Sequence, residues 1–155
     1  VLLQGLGSSI FYVSNNSLAN NPQFGAGGGP GGLQITGQPS DIFWLTNNVL
    51  WNNGTGTGYD LLVASGTPAV LNSNHVGDMA PLPPGVVNNN TQTGNPGFVN
   101  TVNLRPLATS PLRDSGVSPQ GGTLVLDFES NQRVFGPRID RGAYEFVNFF
   151  DNGFE

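Results

Sequence analysis

The sequence predicts an all-β chain wound into a parallel β-helix of about three coils, followed by a C-terminal capping segment. Three observations point there. A repeat recurs every 26–32 residues or so, each copy holds three short apolar runs, and turn-forming Asn, Gly and Pro separate the runs.

The repeat is read directly. Residues 10–16 are Ile-Phe-Tyr-Val-Ser-Asn-Asn and residues 42–48 are Ile-Phe-Trp-Leu-Thr-Asn-Asn. Leu18 then aligns with Leu50, Asn20-Asn21 with Asn52-Asn53, and Leu3-Gln4 with Leu33-Gln34. Leu61-Leu62 opens a weaker third copy, with its Asn element at Ala69-Val70-Leu71-Asn72-Ser73-Asn74.

Within a copy the runs are Leu33–Thr36, Ile42–Thr46 and Val49–Trp51. Gly37-Gln38-Pro39-Ser40, Asn47-Asn48 and Asn53-Gly54-Thr55-Gly56 break them. No run is long enough or capped enough to be a helix. Three strands per copy describe one coil; leucine-rich repeats are shorter, and propeller blades need four strands.

Strand alternation sorts the faces. Phe43, Leu45, Asn48, Leu50 and Asn53 point inward, as do Phe11, Val13, Asn16, Leu18 and Asn21, and Ala69, Leu71, Asn74 and Val76. Tyr12, Trp44, Val49, Trp51 and His75 point outward. Asn16, Asn48 and Asn74 therefore stack as an internal ladder, the arrangement that lets buried amides match donors to acceptors. The expected organisation is coils at 1–77, a long Pro- and Asn-rich excursion at 78–103, a closing segment at 104–146 and a tail at 147–155. Val1-Leu2-Leu3-Gln4 already reads as a strand, so the first coil has an edge without a cap.

Composition narrows the function. Charged residues are 10% of the chain, against roughly 25% in an ordinary domain, while aromatics reach 10%, which argues for folded β-structure over disorder. The net charge is −5 and all basic residues are Arg from position 105 onward, so neither nucleic acid nor an anionic membrane surface is an expected partner. No apolar run is long enough for a membrane span. The chain has no Cys, and His75 is its single histidine, so no thiolate site, histidine cluster or Ser-His-Asp triad can be assembled. The coils offer only Asp41 and Asp60 as acids, too few for a calcium-dependent lyase site. The Gly25–Gly32 run lacks the Lys of a phosphate loop and reads as a turn. No cofactor is expected.

The paired-Asn coils resemble the right-handed parallel β-helix repeats of pectate-lyase-like proteins. The closing part resembles the C-terminal segment of bacterial surface proteins with a choice-of-anchor Q domain. Three elements carry that resemblance: Asn95-Pro96-Gly97-Phe98, Ser110-Pro111-Leu112-Arg113-Asp114-Ser115-Gly116 and Asp140-Arg141-Gly142-Ala143-Tyr144-Glu145. It implies that Asp114, Gly116, Asp140, Gly142, Tyr144 and Glu145 build the closing segment. Asp before Ser-Gly or Arg-Gly also suits a turn better than a catalytic pair. Arg113 and Arg141 stand where apolar residues are expected, which suggests local salt bridges. The last residues, from Phe149 to Glu155, resemble a short tail of some Gram-negative secreted proteins.

The functional expectation is a non-catalytic structural or adhesive module of a secreted or cell-surface bacterial protein. Tyr12, Trp44 and Trp51 are its candidate contact for surface glycans or another subunit. One alternative is an extracellular filament subunit that stacks on itself head to tail. Another is the C-terminal part of a polysaccharide lyase or hydrolase whose catalytic coils lie in the upstream part of a longer chain.

Overall fold

Short β-branched and aromatic runs, broken by residues that tolerate positive φ, become short strands returning to the same position. The computed structural model describes residues 1–21, 31–54, 58–122 and 125–147. Most of the Gly25–Gly32 run, the Thr55-Gly56 turn and the tail after Val147 lie outside the described residues.

Among the described residues the regular structure is all strand, with no helix. The strands are β1 (Leu2–Gln4), β2 (Ile10–Ser14), β3 (Ser17–Ala19), β4 (Leu33–Thr36), β5 (Ile42–Thr46), β6 (Val49–Trp51), β7 (Leu61–Val63), β8 (Ala69–Asn72), β9 (His75–Val76) and β10 (Val86–Asn89). They form three parallel sheets, ordered β1-β4-β7, β2-β5-β8-β10 and β3-β6-β9. From β1 to β9 consecutive strands therefore visit the sheets in rotation, each visit landing beside the one before, and β10 then returns to sheet two. We call β1–β3, β4–β6 and β7–β9 the first three tiers.

The apolar residues that alternate inward make the core. Leu33, Ile35, Phe43, Leu45, Leu50, Leu61, Val63, Ala69, Leu71 and Val76 are buried, with Leu3, Phe11, Val13 and Leu18 half-buried at the first tier. Phe11 and Phe43 stack in register with ring centroids 4.4 Å apart. Each fully buried side chain of this kind contributes roughly 1.5–3 kcal/mol.

Turns between sheets two and three share one backbone solution. Asn15, Asn47, Ser73 and Asn90 follow the sheet-two strands and all have φ between 51° and 60°. Asn enters this left-handed region at low cost, which explains the Asn pairs of the repeat.

Several sequence-based expectations need correction. Leu3 pairs with Ile35, not with Leu33; a two-residue slip keeps the inward face unchanged, so alternation cannot detect it. Residues 78–103 are not a plain excursion, because a fourth tier lies within them. Met79 bridges Leu61, β10 pairs with β8, and Gln92 bridges His75. Val49 and His75, expected outside, are buried. Finally, among the described residues the closing segment runs along the flank rather than over an end. It bonds Ala143 to Ser17 in the first tier, Val117 and Gly142 to Asn47 in the second, and Arg141 to Asn74 in the third, and just ahead of it the Thr101 carbonyl accepts from Asn20.

Candidate functional site

Each corner of the tiers is closed by a polar side chain that reaches between tiers. Asn16 donates its main-chain N–H and its Nδ2 to Asn48 Oδ1, at 3.1 and 2.9 Å. Asn48 repeats both bonds to Asn74 Oδ1, at 3.0 Å each. The remaining amide protons of Asn48 and Asn74 go to the carbonyls of Val13 and Leu45, both at 2.8 Å. A second ladder runs from Asn21 to Asn53 to Asp60, whose other oxygen accepts the Asp78 N–H.

At the third corner Asp41 is fully buried and accepts main-chain N–H groups from Gly7, Ser9 and Gln38. The Gln38 N–H above all holds its carboxyl below the ordinary range, against the opposing effect of burial. Asp41 and Asp60 thus serve the same backbone task as the asparagines. Their signal in the sequence is that they are the only acids in the coils and sit at turn positions.

The three outward aromatics do not form one file. Tyr12 and Trp44 are register partners on sheet two, and Val70 and Val87 continue that column. Tyr12 is 53% exposed and its ring lies against Gly121, whereas Trp44 is half-buried. Trp51 belongs to sheet three, packs against Gly77, and tilts towards His75 at 6.5 Å. His75 is buried, and its Nε2 lies 2.8 Å from the Gly94 carbonyl. Burial, reinforced by the Arg141 charge, depresses its pKa despite that carbonyl.

The closing-segment acids face main chain. Asp140 accepts the Asp114 N–H at 2.6 Å and the Phe146 N–H at 2.7 Å. Glu145 receives the Asp140 N–H at 3.2 Å and lies 3.9 Å from Arg133. Burial, with the Asp140 charge, pushes Glu145 up to about 8, and burial also raises Asp140. Gly116 donates to the Ile139 carbonyl, and a side chain there would collide with that oxygen. Gly142 has φ of 93° and packs on Ser17 and Val49, while Tyr144 meets Phe128 edge to face.

Among the described residues neither expected salt bridge forms as such. Arg141 bonds the carbonyls of Ser115 and Asn74, and burial lowers its pKa to about 10. Arg113 bonds the Ala108 carbonyl and lies 4.0 Å over the Phe146 ring. The buried pair is Arg133–Glu145, with Arg133 also bonding the Asp140 and Gly142 carbonyls. Arg133 was not singled out by the sequence, since nothing in its neighbours distinguishes it from a surface arginine.

Among the described residues no group of three or more His, Cys, Asp or Glu is placed to hold a metal ion, and no helix is long and apolar enough to cross a membrane. No family model, no curated protein and no solved structure matches the chain.

Proposed function

We propose that the tiers are coils of a right-handed parallel β-helix, and that the chain is a non-catalytic structural or adhesive module of a secreted or cell-surface bacterial protein. On this reading the flank segment is a closing element of the choice-of-anchor Q type. One observation carries it: the buried acids and amides that could do chemistry are spent on main chain. Asp41 takes three N–H groups, Asp140 takes two, and Asn48 and Asn74 bond both neighbouring amides and carbonyls. A general acid or base needs a free edge towards its substrate. The adhesive part rests on Tyr12 and Trp44, which stand in register beside each other on one outer sheet face.

The test is incubation with a panel of plant and bacterial polysaccharides, followed by assays for new reducing ends and unsaturated sugars. No product is the expected outcome. Product that disappears in Asp114→Asn or Asp140→Asn would overturn the reading. In parallel, a glycan-array signal that Trp44→Ala removes would favour adhesion over a purely structural role.

A further inference from the structure

Two ionisable side chains are buried where the flank meets the third tier. His75 and Arg141 are each 1% exposed. The register of the flank brings Arg141 there. Ala143 bonds Ser17 Oγ, Gly142 packs on Ser17 and Val49, and Arg141 Nη1 reaches the Asn74 carbonyl. Ser17, Val49 and His75 are successive register partners in sheet three, so the flank follows one column and Arg141 arrives at its His75 end.

Each side chain spends its bonds on main chain and leaves one nitrogen over. His75 Nε2 lies 2.8 Å from the Gly94 carbonyl, and a carbonyl only accepts, so Nε2 carries a proton. The atom that takes up a second proton is therefore Nδ1, which is buried and has no partner. Arg141 bonds the Ser115 and Asn74 carbonyls, and its Nη2 is likewise buried and unpartnered. Packed on His75 are Val49 and Trp51 of β6, Gln92 and the Gly94 carbonyl of the fourth tier, and Arg141 of the flank. Among the described residues no carboxylate forms an ion pair with His75 or Arg141. A proton at Nδ1 thus enters a dry site that holds no acceptor for it and already holds a guanidinium.

We propose that His75 and Arg141 form an acid-sensitive latch, in which protonation of His75 Nδ1 releases the Arg141 stretch of the flank and the segment around Gly94 from β9. Burial, then Arg141, holds the folded His75 pKa below its usual 6.5. The closed contact is therefore fully held above pH 6.5 and weakens as pH falls from there through the folded value. Arg141, lowered by burial to about 10, keeps its charge throughout. A freed imidazole is protonated about thirty to one at pH 5, so opening is favoured by up to about that factor. Glu145 and Asp140 act in the opposite sense, because burial raises both and the folded form takes up their protons first. Acid loosens the flank at the third tier while tightening it around Glu145, so the release is local.

Amide exchange of the full chain at pH 7 and pH 5, compared as protection factors, tests the latch. The reporters are the amides of Val76, Gln92 and Arg141, which bond the carbonyls of Gln92, Asn74 and Leu112. Their protection should fall about tenfold at pH 5 relative to the β5 amides. His75→Gln, which cannot take up a proton, should abolish that fall, and Arg141→Met, which removes the neighbouring cation, should reduce it. No fall in the unsubstituted chain, or an equal fall in either variant, overturns the proposal. Should a variant fail to fold, the His75 ring in the unsubstituted chain decides, followed by NMR through the same pH range. A ring that titrates at or above 6.5 in the folded chain overturns the latch, and one that titrates lower, in step with the loss of protection, supports it.

Discussion

The tiers and the flank segment bury polar groups by opposite means. In the tiers the work falls to neutral amides, with Asp41 and Asp60 as the buried acids. In the flank it falls to ionisable side chains: Arg133, Asp140, Arg141 and Glu145 are all buried within the stretch 133–145. The difference follows from geometry. A stack of parallel strands repeats the same donor and acceptor at every tier, and an amide that both donates and accepts can propagate through such a column. The flank segment does not repeat, so each unpaired carbonyl needs its own donor, and a guanidinium supplies several at once. The tiers respond to strong acid chiefly through Asp41, whose pKa is depressed, while the flank responds nearer neutrality through Glu145.

The largest expected effect breaks the amide side. Asn48→Ala removes both bonds that Asn16 makes to Asn48 Oδ1, together with the Nδ2 bonds to the Val13 carbonyl and to Asn74 Oδ1. Leaving several buried partners unmatched costs about 3 kcal/mol, read as a lowered midpoint in urea unfolding with unchanged slope. Asn16→Ala, at the exposed end of the same ladder, should cost about a third of that. Equal losses from the two would show that the ladder does not act tier by tier. On the flank, Gly142→Ala forces a side chain into positive φ against Ser17 and Val49. Its expected cost is about 2 kcal/mol, with Val117 and Ala143 amides losing exchange protection before the β5 amides do.

The pH response sharpens the contrast. Glu145 has its folded pKa raised to about 8, above the ordinary value of 4.5. The folded form therefore holds a proton that the unfolded chain releases between those values. Its stabilising effect is complete below about pH 4.5 and is lost as pH rises through 8, with a slope of up to about 1.4 kcal/mol per pH unit. Glu145→Gln keeps the neutral shape and should flatten stability across that window; an unaltered slope would assign the response to another group. Asp41 runs the other way. Its folded pKa is depressed, so its contribution is present above the unfolded value of 3.8 and is lost as pH falls through the folded one. Asp41→Asn should remove that acid-side loss while leaving the window near neutrality untouched.

The same contrast decides what the sequence could reveal. The tiers were legible because repetition writes one structural decision several times: the pairing of Phe11 with Phe43 and of Tyr12 with Trp44 follows from aligning the two copies. The slip at Leu3 escaped because sheet one lacks an Asn landmark to set its register. The fourth tier escaped because Val86-Val87-Asn88-Asn89 stands behind three prolines, and Thr91 replaces the expected ladder Asn. His75 alternates outward, yet it is buried with its ring on the Gly94 carbonyl, a contact set by chain 19 residues away and invisible to strand periodicity. The flank was legible only as motifs. That Asp140 and Glu145 face main-chain N–H groups, and that Arg133 is the cation beside them, depends on a fold with no internal copy to read it from.

The smallest expected effect tests whether charge on the flank matters by being charge or by being buried. Arg105 and Glu129 form a two-pronged ion pair whose side chains are 52% and 30% exposed. Pairs in contact with water gain little, because solvent already stabilises both ions and holding two long side chains costs entropy. The Glu129 carboxylate raises the Arg105 pKa, but the guanidinium is charged either way at any pH where the protein folds. Glu129→Gln should therefore leave the urea midpoint within experimental error at both low and high salt. Arg133→Met, by contrast, should lower it clearly, since it deprives Glu145 and two carbonyls of a partner in a dry site. If the two substitutions cost the same, burial is not what separates the flank's charges, and the contrast between an amide-built stack and a charge-built flank reduces to composition.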